Sequence, residues 1–387
     1  MKVDYSKVAD KVKFWKSVIE NVKDFSGSSP PAVFVGRAFY PKVYVGILAP
    51  PHQTSTDILD SPEKWYEQKA SIEQILNYRS QLIYSRFKTS TVKRPSGKFI
   101  DITQELSMAK KPTGVEIRLR KSPRFTFSFD GWSQPIGNPA PLDNVILTEN
   151  PSVERKVDYI ISDTDLKAER GVLELYQHEI PVSRIQKIFS VGLLGLKTQR
   201  KFVPTRWGIT AVDDTIGKIL IERIKDYQQS NEVFLFQNDY LANHFEILMI
   251  PENYQFEFIE SWDLDKPFPT ISADYESYFG RKTYATNTHG GYYAARIAAL
   301  EYLNKIKRQA TILIVREIRP DYYADVGVWK VRETVRDAFN KPFEKFDTVS
   351  HAIKRICERM KIGNKWMDKS NLLKNLKEQR KLKSFIS

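Results

Sequence analysis

An α+β fold is expected for this 387-residue chain: a mixed sheet flanked by helices, with a flexible basic tail at the C-terminal end. Three observations predict it. Apolar residues recur at three- and four-residue spacing over 7–25 and 292–307, the pattern of helices that bury one face. They alternate with period two over 115–120 and 125–130, as half-buried strands do. Thr311 to Val315 is a continuous apolar run, which suits a central strand covered on both sides. Strand and helix patterns do not alternate strictly, so a doubly wound parallel sheet is not expected.

In chain order, residues 7–25 place Val8, Val12, Trp15, Val18, Ile19 and Val22 on one helical face, and Ser26-Gly27-Ser28-Ser29-Pro30-Pro31 ends the run. Val33 to Val35 and Val43 to Leu48 read as strands around a turn at Gly36 to Pro41. A long helix is expected after Ser61-Pro62-Glu63, with Ser as cap and Pro in the first turn, carrying Trp65, Ile72, Ile75, Leu76, Leu82 and Ile83 to the core. The alternating segments 115–120 and 125–130 predict a hairpin whose outer face shows Arg118 and Arg120. Gly131 to Asn144, rich in Gly and Pro, predicts a loop or boundary. Helices are expected over 213–227, 292–307, 329–339 and 351–359, and strands over 233–236, 245–250 and 311–315. Four regions follow: an N-terminal α/β region at 1–130, a loop or linker at 131–152, a C-terminal α/β domain at 153–362, and a basic tail at 363–387.

Composition narrows the function. The net charge of +13 and pI near 9.4 favour a polyanionic partner. A single cysteine, Cys357, excludes an internal disulfide and a multi-cysteine zinc site. Five scattered histidines make a multi-histidine metal site a poor reading, so no metal ligands are assigned. With no apolar run long enough to span a bilayer and no signal peptide in Met1-Lys2-Val3-Asp4, an intracellular, cytoplasmic protein without a membrane partner is expected. No nucleotide-triphosphate, dinucleotide, hydrolase-elbow or zinc-protease motif is present, so no cofactor is assigned.

Three polar clusters are candidates for chemistry. Thr288-His289-Gly290-Gly291 precedes the helical run from Tyr292, and glycine amides at a helix start attract an anion that His289 and Arg296 would help hold. The same residues also fit a turn capped by Thr288. Arg200 to Asp214 is the densest polar segment: Arg200, Arg206, Trp207 and Thr210 lead into Asp213 and Asp214. Paired carboxylates there suit proton sharing, a divalent cation or activation of water, or a helix cap built from Thr210 or Asp213. Arg316-Glu317-Ile318-Arg319 follows the buried strand, where ligands gather in open sheets and where structural ion pairs are equally expected. The turn at Arg37 is a further Gly-Arg-aromatic segment able to touch phosphate or simply reverse the chain.

At the far end, Gln379, Leu382, Phe385 and Ile386 have the spacing of a peptide that binds PCNA, the DNA sliding clamp. One tight helical turn puts Leu382, Phe385 and Ile386 on one face, as a plug for a groove requires, and Gln379 would bond at its edge. From Lys361 onward eight basic residues stand against Asp368 and Glu378, which reads as a mobile basic tether.

Phe34-Val-Gly-Arg37 with Tyr40-Pro-Lys-Val43, then Arg200 to Asp214, then His289-Gly-Gly291, then Arg316-Glu-Ile-Arg-Pro320, together resemble the archaeal Nre DNA repair proteins over nearly the whole chain. Members of that family often carry an amino-terminal cysteine zinc finger, and this chain lacks those cysteines. The resemblance implies a role in archaeal DNA damage response tied to the clamp, near the chromosome, and names no reaction.

Two functions remain. A hydrolase would hold phosphate on His289, Gly290, Gly291, Arg37, Arg200 and Arg206, stack a base on Trp207 or Tyr292, and activate water with Asp213, Asp214 or Glu317. Its substrate would be DNA or an ADP-ribose-type adduct. A clamp-tethered DNA-binding adaptor would follow the phosphate backbone with Lys88, Lys93, Arg94, Lys98 and Arg118 to Arg124, with Phe99 and Trp132 for stacking. The enzyme predicts that the polar clusters converge in one pocket; the adaptor predicts a basic face.

Overall fold

Residues 14–126 and 133–378 are described by the computed structural model. The chain forms two compact units. The first comprises Met1–Ile216 with Tyr323–Trp329, the second Gly217–Tyr322 with Lys330–Ser387.

The first unit is built on a six-stranded sheet, ordered β1-β5-β6-β4-β3-β2. Its strands are β1 (Asp24–Ser29), β2 (Ala32–Val35), β3 (Lys42–Ala49), β4 (Ile83–Ser90), β5 (Thr113–Leu119) and β6 (Asn138–Leu147). All neighbours are antiparallel except β4 and β6. Among the described residues, seven α-helices belong here: α1 (residues 14–19), α2 (Pro62–Glu67), α3 (Ile72–Ser80), α4 (Lys98–Met108), α5 (Arg155–Ser162), α6 (Ala168–Gln177) and α7 (Val182–Ser190). The chain passes into the second unit within an eighth, α8 (Thr205–Lys225).

Several expectations are corrected here. The run after Ser61 is two helices, not one. Lys69 takes a left-handed conformation (φ 51°), and Ser71 restarts the chain with a capping box closed by Gln74. Leu82 and Ile83, assigned to that helix, lead into β4, because helical and strand spacing coincide over so short an apolar run. The hydroxyl of Ser61 donates to the Asp57 carbonyl and does not cap α2. Residues 24–29, expected to end a helix, form β1. The alternation over 115–120 is real, with Val115, Ile117 and Leu119 buried. Yet β5 pairs with β1 and β6, and residues 121–126 form no strand. Phe127 to Trp132 lie outside the described residues. The Gly/Pro-rich stretch leads into β6, which pairs with β4 over Asn138 to Pro141 and with β5 over Leu142 to Leu147.

The second unit repeats the plan with the order β10-β9-β11-β8-β7-β12, in which only β9 and β11 run parallel. Here β7 is Val233–Tyr240, β8 Asn243–Ile250, β9 Gln255–Trp262, β10 Thr270–Glu276, β11 Thr311–Ile318 and β12 Glu344–Phe346. The apolar run at Thr311 is central as expected. Both faces of this sheet are covered, which is why β8, β9 and β11 are buried along almost their whole length. On one face lies α9 (His289–Ile306), where Tyr292 meets Phe256 at 5.2 Å. α10 (Trp329–Ala338) borders it, leading into Phe339, which stacks on Tyr302 at 4.1 Å and meets Phe236 at 4.9 Å. On the other, α11 (Val349–Arg359) and α12 (Asn371–Glu378) join a core of Leu235, Leu248, Ile259, Leu313, Val315, Ile356, Trp366, Leu372 and Leu373.

That core corrects the reading of the tail. As far as Glu378 the basic segment is folded, with Trp366 and Leu372 fully buried. The carboxylate of Glu257, on β9, accepts from the Asn371 amide at 2.7 Å, the Leu372 amide at 3.2 Å and the Ser370 hydroxyl, and so caps α12. Gln379, Leu382, Phe385 and Ile386 lie outside the described residues.

Candidate nucleic-acid interface

The exposed site of the first unit is built at the β2–β3 turn. Gly36 donates its amide to the Tyr44 carbonyl at 2.8 Å and so continues the ladder. Beyond it the chain folds back on itself: Tyr40 donates to the Arg37 carbonyl and Lys42 to that of Phe39, while Phe39 sits at φ 68°. A non-glycine residue in the left-handed region costs free energy, and here it turns an aromatic ring out into solvent. Phe39 is 70% exposed and Tyr40 54% exposed. The turn is pinned from outside by Thr91, whose amide and hydroxyl both donate to the Pro41 carbonyl, at 2.9 and 3.1 Å.

The first turn of α8 comes to the same place. Thr205 accepts from the Val35 amide at 2.9 Å through its hydroxyl, which fixes the helix start against β2. Two residues on, Trp207 is 45% exposed and meets Tyr40 edge-on at 5.0 Å. Cations complete the patch. Lys88 lies over Phe39 at 5.5 Å, next to Tyr44 in the β3–β4 register, and Arg37 is exposed on the turn. Three exposed rings interleaved with cations are what single-stranded or distorted nucleic acid requires: faces for stacking and charge for phosphate. The segments Phe34–Val43 and Arg200–Asp214, remote in sequence, therefore meet here.

The remaining candidates have other surroundings. Arg200 spends its guanidinium on three backbone carbonyls, those of Gly195, Ile161 and Asp163, at 2.8 to 2.9 Å. Arg206 is half-buried in the first turn of α8. Since that helix starts at Thr205 and not at Asp213, Thr210, Asp213 and Asp214 stand in its interior, and neither Thr210 nor Asp213 is a cap. Asp213 is fully buried and accepts from Gln186 Nε2 at 2.8 Å; Asp214 is half-buried.

In the second unit the start of α9 already has its anion. The Asp274 carboxylate accepts from the amides of Asn287 and Thr288 at 2.9 and 2.7 Å and from the Thr288 hydroxyl at 2.9 Å, and pairs with Arg281 at 3.1 Å. His289 follows at φ 51°, half-buried, its ring 6.1 Å from Tyr284. Gly290 and Gly291 are buried, and a Cβ on Gly291 would come within 2.9 Å of Glu260 and 3.0 Å of Phe258, so glycine there lets α9 approach β9. Arg316 pairs with that same Glu260 and bonds Asn243, so His289–Gly291 and Arg316 do come together, around a buried carboxylate. Arg296 pairs with Glu276 at 2.9 Å. Glu276 also accepts from Tyr254, and burial beside Glu276 pushes the Tyr292 hydroxyl far above its ordinary pKa. Glu317 accepts from Arg319 at 3.2 Å and from the Ile362 amide at 3.1 Å.

The basic stretches are exposed, and some of their cations have acidic neighbours: Arg118 with Asp24 at 3.1 Å and Arg120 with Asp143 at 3.6 Å. Such solvent-facing pairs are weak and leave charge available to phosphate. Lys93 and Arg94 are exposed, while Phe99 is half-buried against Phe87 at 5.7 Å. Among the described residues no group of three or more His, Cys, Asp or Glu is placed to hold a metal ion, and no helix is long and apolar enough to cross a membrane.

Arg86 and Tyr44 were missed as site residues by sequence reasoning. Their signal is the register of β3 against β4, which pairs Tyr44 with Lys88 and Gly46 with Arg86, and no strand was read from the sequence over 84–90.

The exposed rings and cations of this turn have the surface chemistry that contacts to nucleic acid use. Comparison with known proteins gives the family. Residues 2–268 match the family described as archaeal Nre, N-terminal, and residues 276–385 match archaeal Nre, C-terminal. The chain belongs to the archaeal Nre family. It is 38% identical over 358 residues to the protein named DNA repair protein NreB of Archaeoglobus fulgidus, covering 91% of this chain and 90% of that one. It is 39% identical over 339 residues to DNA repair protein NreA of the same organism, covering 85% and 84%. To DNA repair protein NreA of Haloferax volcanii it is 34% identical over 349 residues, covering 87% and 83%. No solved structure matches.

Proposed function

We propose that this chain is a DNA repair protein that binds DNA through the β2–β3 turn and the start of α8, and that its C-terminal peptide recruits it to the sliding clamp. The observation that carries the DNA reading is the exposed set Phe39, Tyr40 and Trp207 beside Arg37 and Lys88. The names of its relatives support the repair role. A hydrolase acting on DNA or an ADP-ribose-type adduct is less well supported by the geometry. Its proposed bases Asp213 and Glu317 are held by Gln186 and by Arg319 and Ile362, and Arg200, Arg296 and Arg316 are committed to protein acceptors. Binding without turnover is the reading we adopt.

Fluorescence anisotropy with labelled single-stranded DNA tests it. Replacing Phe39 and Trp207 by Ala together should weaken binding at least about fivefold, since a stacked base contributes roughly 1–3 kcal/mol. Unchanged affinity in the double variant would remove the interface. For the clamp, Phe385→Ala should cost about 2 kcal/mol or more of binding in calorimetry of the full chain, as truncation of a groove anchor does. Equal affinity in wild type and variant would remove the recruitment reading.

A further inference from the structure

The sheet face behind the turn contains a cavity of about 480 Å³, within the size range of ligand pockets. Phe34, Tyr44 and Tyr84 supply its rings, Arg37 and Arg86 its cations. The decisive residue is Arg86. Three other arginines of this unit that lie below the surface are compensated: Arg79 by Asp60 at 2.6 Å, Arg184 by Glu154, Arg200 by three carbonyls. Arg86 is half-buried, and among the described residues no carboxylate answers it. Its guanidinium carbon lies 4.2 Å from the Tyr44 ring centroid and 5.9 Å from that of Tyr84. A partly desolvated cation without a counter-charge is costly unless an anion joins it. The Tyr84 hydroxyl is within 2.9 Å of the Tyr44 carbonyl and 3.3 Å of that of Phe34, so the wall it forms is held in place.

Rings with one unanswered cation between them fit a flat heteroaromatic group that carries a phosphate. We propose that this cavity receives one unpaired nucleotide of a DNA strand, its base against Phe34 and Tyr44 and its phosphate on Arg86 and Arg37. The proposal rests on the DNA-binding reading of the same face and narrows it. In a paired duplex the base faces are stacked and out of reach, so the pocket selects a strand end, a gap or an extruded base.

The test compares a labelled duplex with the same duplex carrying one unpaired central nucleotide, titrated with the full chain. Wild type should prefer the second at least about fivefold, the lower end of what one stacked base contributes. Arg86→Gln and Tyr44→Ala should each abolish that preference. Deoxyadenosine monophosphate should compete for the unpaired site, and inorganic phosphate at the same concentration should not. Competition provides a second readout should either variant fail to fold. Equal affinity of wild type for the two duplexes, a preference that survives Arg86→Gln, or equal competition by phosphate would each overturn the pocket. Binding of the mononucleotide with no binding of either duplex would retain the pocket and instead remove the DNA interface.

Discussion

The second unit keeps charged side chains inside its sheet, and His244 shows what holds them there. It is 4% exposed on β8, with Nδ1 3.0 Å from Asp239 and Nε2 3.0 Å from Glu246. Burial works against the charged ring, but hydrogen bonds and charge from Asp239 and Glu246 outweigh it and lift the pKa from 6.5 to about 9. Arg359 on Glu246 and Arg319 on Asp239 share the same carboxylates. A folded pKa raised above the unfolded one stabilises the protein fully below pH 6.5, and this stability is lost as pH rises toward 9. The contribution is on the order of 3 kcal/mol. Denaturant titrations from pH 6 to 10 should show wild type losing more stability across that window than His244→Asn. Parallel curves for the two proteins would contradict a raised pKa for the ring. None of this was legible in the sequence, because His244 is read there as one isolated histidine and its partners are set by strand pairing.

At the scale of elements, α12 carries the clearest consequence. α12, described from Asn371 to Glu378, directly precedes the proposed clamp peptide, and it is capped by Glu257 and seated through Leu372 and Leu373. Leu372→Ala should cost about 2–5 kcal/mol as a buried cavity mutation, whereas the exposed Lys374→Ala should stay within about 0.5 kcal/mol. If thermal melts of Leu372→Ala match wild type, residues 363–378 are a tether after all. The sequence marked the apolar residues Leu372, Leu373 and Leu376 but gave no sign of what covers them, since Glu257 and Trp366 reach them only through the fold. Long periodic elements were legible for the opposite reason: α9 and β11 bury so much of their length that the apolar pattern alone identifies them. The break at Lys69 and the early start of α8 at Thr205 were not legible. Each depends on a local conformation that competes with an otherwise continuous helical pattern.

For the whole molecule, the proposed DNA binding joins the +13 charge and the aromatic turn: long-range attraction to a polyanion, and rings that would hold it once it arrives. The clusters at Arg37 and Trp207 were visible in the sequence as motifs. Their convergence was not, because it needs the Val35–Thr205 bond and the packing of Tyr40 on Trp207. Most other candidate arginines proved to be compensated within the fold, which sequence cannot distinguish from free ones. The most direct measurement is the salt dependence of DNA binding by the full chain, wild type against Arg37→Gln/Lys88→Gln. Binding should weaken steeply with salt, the logarithmic slope measuring the number of phosphates contacted, and the double variant should lower that slope by about 1–2. A slope identical in wild type and variant, or binding indifferent to salt, would contradict the assignment of this turn as the DNA interface.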